Sequence, residues 1–218
     1  EEIDKFIAIS TDKAVNPINT MGATKLLSEK LVFNAPLGDV KTVFSCVRFG
    51  NVLNTDGSVI PIFEEQIKNG GPVTITSKEM VRFFMSVKNA VDLILKAAQK
   101  AKGREIFILK MNAMRIVDLA EVMIEELAPR YGHKDIKIEI IGIRPGEKIY
   151  ELLMTEEEAQ YAEDRGDMFV LKPGIFVPHY ISKEVTSQPI PVEEYNSRNA
   201  KLLTKKEIKV LLTGLNPK

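Results

Sequence analysis

The chain has 218 residues, 44% of them hydrophobic and 28% charged, proportions that exclude a disordered polypeptide and allow one or two compact domains. Lysines and arginines number 30 and so do aspartates and glutamates. This balance gives no footing to a nucleic-acid or polyanion binder. The one cysteine, Cys46, rules out an internal disulfide and fits a reducing cytoplasm. No run reaches membrane-spanning length, no signal peptide is visible, and no metal-ligand spacing occurs.

In chain order, KFIAIS (5–10) is a short apolar run of the kind that forms a buried parallel strand. Residues 11–20 are polar, contain Pro17 and form a loop. A helical pattern follows over 21–34, with Leu27, Leu31 and Val32 as its apolar face. TVFSCVRF (42–49) is a second buried strand, and Cys46 within it reads as core. A loop over 51–58 leads to a helix over 59–68 that stops at Asn69-Gly70-Gly71. PVTIT (72–76) is a short strand, 86–100 a helix, EIFILK (105–110) a strand and 116–127 a helix closed by Pro129. Alternation over 136–143 predicts a strand, and the turn Arg144-Pro145-Gly146-Glu147 leads into a predicted helix over 148–154. Residues 165–196 read as extended and loop-rich, and 204–212 as a closing helix. His133 and His179 stand apart in loop-like contexts and are read as non-catalytic.

Strands alternating with helices define an α/β fold with a parallel sheet. Such sheets place ligands beyond the carboxyl ends of their strands, so the loops after Ser10 and Phe49 are where chemistry is expected. The first loop carries Ser10-Thr11-Asp12-Lys13-Ala14, then Asn16-Pro17-Ile18-Asn19, then Met21 and Lys25 one helical turn apart. An adjacent carboxyl group and amine at a strand end offer an acid and a base to one substrate.

This string resembles the active-site segment of the extended short-chain dehydrogenases, and is similar to UDP-N-acetylglucosamine 4,6-dehydratases of capsule and glycan synthesis. The resemblance runs over essentially the whole chain. It implies a Rossmann-like sheet with a smaller α/β substrate-binding domain, a recycled NAD or NADP, a UDP-sugar substrate and a homo-oligomer. It further implies that Asp12 protonates the leaving C6 hydroxyl, Lys13 takes the C5 proton and Thr11 bonds the C4 oxygen. Lys25 would bond the nicotinamide ribose, with Ser10, Phe49, Gly50 and Val52 also at the cofactor. Asn51, Arg82 and Arg144 would hold the diphosphate, Arg because its planar fork pairs with phosphate oxygens. Ser58 and Val59 open a helix whose N-terminus would border the nucleotide. Thr74 and Thr76 would border the uracil, and Glu147 would accept from the uridine ribose.

Met21 departs from the pattern. The general short-chain motif has Tyr there, and Met cannot ionise, so Asp12, Thr11 or a water is left to take the C4 proton. An epimerase of the same fold typically keeps that Tyr and has no use for the Asp-Lys pair. A non-catalytic nucleotide-sugar-binding relative is a third reading. The Gly-rich turn of a dinucleotide fold is not in this sequence, and the chain opens on Glu1, so it reads as part of a longer protein lacking its N-terminal βαβ half. The expected organisation is 1–57 as the end of the dinucleotide-binding domain, 58–163 as a mixed substrate-binding region, and 164–218 as a tail and terminal helix with a possible oligomer contact. The segment Glu194-Tyr195-Asn196-Ser197-Arg198-Asn199 resembles that of 5-inverting members.

Overall fold

The computed structural model describes residues 3–35, 41–55, 57–172 and 194–214. In chain order the elements are β1 (Lys5–Thr11), α1 (Thr20–Phe33), β2 (Val43–Phe49), β3 (Asn51–Val52), α2 (Val59–Lys68), β4 (Val73–Ile75) and β5 (Val81–Met85). There follow α3 (Val87–Lys100), β6 (Ile106–Leu109), β7 (Asn112–Arg115), α4 (Ile116–Leu127), β8 (Ile138–Ile140), β9 (Leu152–Met154) and α5 (Glu156–Ala159). The last are β10 (Ala162–Asp164), β11 (Met168–Leu171), β12 (Tyr195–Asn196) and α6 (Lys205–Thr213). The chain does not divide into consecutive stretches. Contacts split it into two interleaved compact units. Unit 1 is Glu1–Gly50, Val87–Met111 and Leu152–Asn196; unit 2 is Asn51–Ser86, Asn112–Glu151 and Ser197–Lys218.

Unit 1 is built on a five-stranded sheet in the order β1-β2-β6-β11-β10. β1, β2 and β6 are parallel, and β11 and β10 are antiparallel additions. β2 and β6 are near-continuous apolar runs because both faces of the sheet are covered there, whereas β1, expected to be buried, lies at the sheet edge and leaves Phe6 and Ile9 exposed. Cys46, Val47, Ile106 and Ile108 are fully buried. Burial pushes the Cys46 thiol up to about 12, with nearby Glu29 adding to the rise. α3 buries Ala90, Leu93 and Ala97 and packs on β1 and β2, the two alanines letting the helix approach closely and Leu93 filling the core.

α1 is a correction to the expected amphipathic pattern. Leu27 and Leu31 are exposed, and the helix buries Gly22, Glu29 and Phe33 instead. The buried Glu29 has a partner across the sheet. Arg48 of β2 lies fully inside, its Nε and Nη2 forked onto Glu29 at 3.1 and 2.7 Å. Its Nη1 and Nη2 also reach Glu158 at 3.0 and 3.1 Å, and Nη1 the Leu153 carbonyl at 2.8 Å. Burial alone disfavours the guanidinium charge. The two carboxylates more than offset it and hold Arg48 above its ordinary range.

Two further expectations fail in unit 1. Residues 148–154 hold no helix: Leu152–Met154 is the buried strand β9, paired antiparallel with β12. The stretch from 165 is not only loop, since β11 is buried beside β6. The tail residues Tyr195, Asn196 and Ser197 are likewise buried in the chain's own packing. The Tyr195 hydroxyl accepts from the Met111 amide at 2.7 Å and donates to the Met111 carbonyl at 3.0 Å. The remainder of the predicted loop, 173–193, with His179, lies outside the described residues.

Unit 2 packs α2, α4 and α6 together, with β4 and β8 paired in parallel beside them. Phe63, Ile67, Val73, Met114, Leu119, Met123 and Ile208 form its core. A second small sheet has the order β3-β5-β7. β5 and β7 were not anticipated. The reason is that β5 (VRFFM) is buried at every position and carries no alternation. The closing helix is confirmed as α6: Thr204 caps it with a reciprocal Thr-Glu207 box, and Ile208 anchors it on α4.

Candidate active site

The site in unit 1 is set by the register of two parallel strands. Ser10 lies beside Arg48 and Thr11 beside Phe49, so the two loops picked out in the sequence leave the sheet at one level. Past Thr11 the chain makes a single 3-10 turn over Asp12–Ala14, closed by the Val15 amide on the Asp12 carbonyl. β9 packs against this turn.

Within the turn, one carboxylate oxygen gathers the donors. Asp12 Oδ1 accepts from Lys13 Nζ at 2.9 Å and from Thr11 Oγ1 at 2.8 Å. Asp12 is fully buried, and Lys13 keeps about a third of its side chain exposed, 31%. Asp12 Oδ2 is buried with no hydrogen-bond partner. An orphaned buried acceptor costs on the order of 1–3 kcal/mol, which a bound donor would offset. Neither group is turned out into bulk solvent.

The helix after the loop is held against it by small features of the sequence. Asn16 adopts a left-handed φ of 44°, a conformation Asn tolerates. Asn19 caps α1, its side chain accepting from the Gly22 amide at 2.8 Å. A Cβ at Gly22 would meet the Lys13 carbonyl at 2.3 Å, so the helix backbone touches the loop itself. Gly22 and Asn19 thus have a positioning role that sequence reasoning did not assign. Lys25 reaches the Ile9 carbonyl at 3.2 Å, at the end of β1. Met21, one turn before it, is 48% exposed. Ser10 was expected at the cofactor. It is buried, and its hydroxyl donates to Glu29. Phe49 is buried at the end of β2, and the Gly50 amide donates to the Met111 sulfur at 3.3 Å.

Unit 2 carries the expected nucleotide-binding residues. Asn51 and Val52 form β3, paired with Phe84 and Met85 of β5. Arg82 is buried, and its fork holds the carbonyls of Val81, Lys148 and Ile149 at 3.0, 2.6 and 3.0 Å, with Glu151 3.5 Å from its Nε. It is a fixed positive charge and not a free surface arginine. Arg144 is exposed in a turn whose amide donates to Glu147 Oε2 at 3.3 Å. Ser58 heads α2 without capping it, and its hydroxyl is buried and unpartnered. The Thr74 hydroxyl accepts from Gln66 at 2.8 Å, and Thr76 bonds the Met80 sulfur. His133 is half-buried and bonds the Lys68 carbonyl. Among the described residues no group of three or more His, Cys, Asp and Glu could hold a metal ion.

Parallel strands whose carboxyl ends carry the polar groups define an α/β protein of the Rossmann-like kind. The chain belongs to the family described as polysaccharide biosynthesis protein, which matches residues 1–173. It is 56% identical over 220 residues to the membrane protein MJ1061 of Methanocaldococcus jannaschii, covering 99% of this chain and 63% of that one. It is 46% identical over 185 residues to the capsular polysaccharide biosynthesis protein CapD of Staphylococcus aureus, covering 84% and 30%. A UDP-glucose 4-epimerase of Rickettsia bellii is 39% identical over 221 residues, covering 99% and 63%. Among solved structures, Pen from Bacillus thuringiensis superposes with a TM-score of 0.86 at 40% identity, covering 97% of this chain and 62% of that one. The chain therefore spans less than two thirds of these relatives. Among the described residues no helix is long and apolar enough to cross a membrane.

Proposed function

We propose that this chain belongs to a nucleotide-sugar 4,6-dehydratase using NAD or NADP, acting on UDP-N-acetylglucosamine in surface polysaccharide synthesis. The observation that carries this reading is the Asp12–Lys13 pair, one member fully buried with an unsatisfied oxygen, at the carboxyl end of the parallel strand β1. Membership of a polysaccharide biosynthesis family supports it.

The residues present fit a nicotinamide. Lys25 presents an amine at the carboxyl end of β1, beside which Phe49 and Gly50 close β2. Lys25 would hold the ribose, with Phe49 and Gly50 under the ring. The bound ring would supply the hydride acceptor for C4 and the hydride donor for C6. As C4 gives up its hydride, its hydroxyl proton would pass to Asp12, Thr11 or a water, and Thr11 would bond the oxygen as it becomes a carbonyl, which acidifies the C5 proton. Lys13 accepts that proton, and Asp12 delivers one to the C6 hydroxyl, so that the C5–H and C6–O bonds break, a C5=C6 bond forms and water leaves. The 2.9 Å Lys13–Asp12 contact is the proton path that readies them. One proton moved from Nζ to Oδ1 turns an ion pair into a neutral base and a neutral acid. Once C6 has regained a hydride, C5 would take a solvent-derived proton on the face opposite Lys13, and Lys13 would release its own proton to solvent, so that the product is the C5-inverted 4-keto-6-deoxy sugar. Arg82, Arg144 and Asn51 are assigned to the diphosphate, Glu147 to the ribose, Thr74 and Thr76 to the uracil, and Ser58 and Val59 to the nucleotide border. The 194–199 segment supports inversion at C5, and a homo-oligomer is part of the same reading.

A 4-epimerase is the second reading, favoured by the name of the R. bellii relative. Met21 argues against it, because the position offers no ionisable group. Incubating the intact protein with UDP-N-acetylglucosamine and weighing the product separates the two. Loss of one water supports the dehydratase, and an isomer of unchanged mass the epimerase.

A further inference from the structure

We infer that Arg48, gripped between Glu29 and Glu158, is a positioning residue that sets the level and rigidity of the catalytic strand ends. The inference rests on the dehydratase reading for its kinetic consequence, though not for its structural one.

The network touches each element that places the candidate catalytic groups within unit 1. Ser10, immediately before Thr11, donates to Glu29. Arg48, immediately before Phe49, is the register partner of Ser10. Glu29 lies one turn beyond Lys25 on α1, so the same carboxylate that receives Arg48 and Ser10 also fixes the helix bearing Lys25. Glu158 is held in turn by the Thr155 capping box at the start of α5, directly after β9, which packs against the Asp12 turn. Arg48 also bonds the Leu153 carbonyl of β9. A planar guanidinium with two forked carboxylates has its rotation fixed on both sides, which a lysine ammonium cannot reproduce. Stability alone does not require this arrangement. A buried ion pair is often no better than packed apolar residues of the same volume, whereas it does specify geometry in some systems. Here the geometry specified is that of two strand ends and one helix around Asp12 and Lys13.

The test is Arg48→Lys in the intact protein, with Leu93→Ala as a control. Leu93 is a buried α3 residue outside the site, and its truncation lowers stability by cavity formation. Two measurements are made: steady-state turnover of UDP-N-acetylglucosamine, and amide hydrogen exchange over residues 11–15. The expected result is a kcat lowered about 100-fold by Arg48→Lys, as misplacement by an ångström can do, with KM within roughly threefold, which marks loss of a transition-state interaction and not of binding. Exchange at 11–15 accelerates about tenfold or more as the local structure opens more readily. Leu93→Ala, matched in melting temperature, changes neither. The inference is overturned if Arg48→Lys leaves exchange at 11–15 unaltered, or if the control loses kcat equally. Should the wild-type protein leave UDP-N-acetylglucosamine untouched, the dehydratase reading fails, and the exchange measurement still decides the network.

Discussion

The two units bury charge in different ways. In unit 1, Asp12 answers to the side chains of Lys13 and Thr11, and Arg48 chiefly to those of Glu29 and Glu158, while Glu105 takes Ser45 at 2.8 Å together with the backbone amides of Lys102 and Gly103. In unit 2, the buried Arg82 answers chiefly to backbone carbonyls, with Glu151 further off. An amine beside a carboxyl group, as in Lys13–Asp12, can pass it a proton. Carbonyls cannot; they hold a charge in place and leave it unchanged. The first arrangement suits acid–base chemistry, and the second a permanent positive charge for an anion.

Breaking the acid–base arrangement has the largest expected effect. Lys13→Ala should lower elimination by about a thousandfold or more, within the range of general acid–base contributions, while UDP-sugar binding, measured by calorimetry, stays within roughly threefold because only a transition-state contact is lost. Equal loss of binding would make Lys13 a clamp. The backbone-held charge of unit 2 should fail differently. Arg82→Ala removes a donor from three carbonyls and the cation beside Glu151 and should cost about 3–5 kcal/mol of stability by denaturant titration. Its effect on UDP-sugar chemistry should enter through affinity and leave kcat nearly unchanged.

The position of α1 gives a smaller effect. Gly22→Ala places a methyl on the Lys13 carbonyl, where overpacking costs about 1–3 kcal/mol, and kcat should drop about tenfold through displacement of the loop. By contrast Met21 is half exposed, so Met21→Tyr should leave the unfolding midpoint nearly unchanged, within about 0.5 kcal/mol. The smallest effect concerns Cys46. Its thiol is raised in the fold from 9.0 to about 12, so the native state favours the protonated form more than the unfolded chain does. The associated stability is present below pH 9.0 and lost as pH rises toward about 12. Below that window Cys46 should resist iodoacetamide until the protein unfolds, which mass spectrometry reads directly.

Much of the fold was legible because periodicity and capping are local. β1, β2, α2, α3, β6 and α4 fall within a residue or two of the predicted spans. The errors are non-local in cause. IYELLM (149–154) is a short apolar run with no decisive period, and β9 is a strand because Tyr195 and Asn196 pair with it from far along the chain. The apolar pattern of α1 pointed to Leu27 and Leu31, but an ion pair with Arg48 turned Glu29 inward. The available signal was an arginine inside the apolar run VFSCVRF, since a charge in a buried strand needs a partner. Its partner Glu158 lies 110 residues away, and nothing local in the sequence announces it.

Whether the Lys13 amine moves the C5 proton is decided by isotope exchange. With UDP-N-acetylglucosamine in deuterium oxide, the intact wild-type protein should give a product lighter by one water and carrying solvent deuterium at C5, and Lys13→Ala should give neither product nor label. A product that keeps its original hydrogen at C5, or labelling by Lys13→Ala at the wild-type rate, would contradict that role.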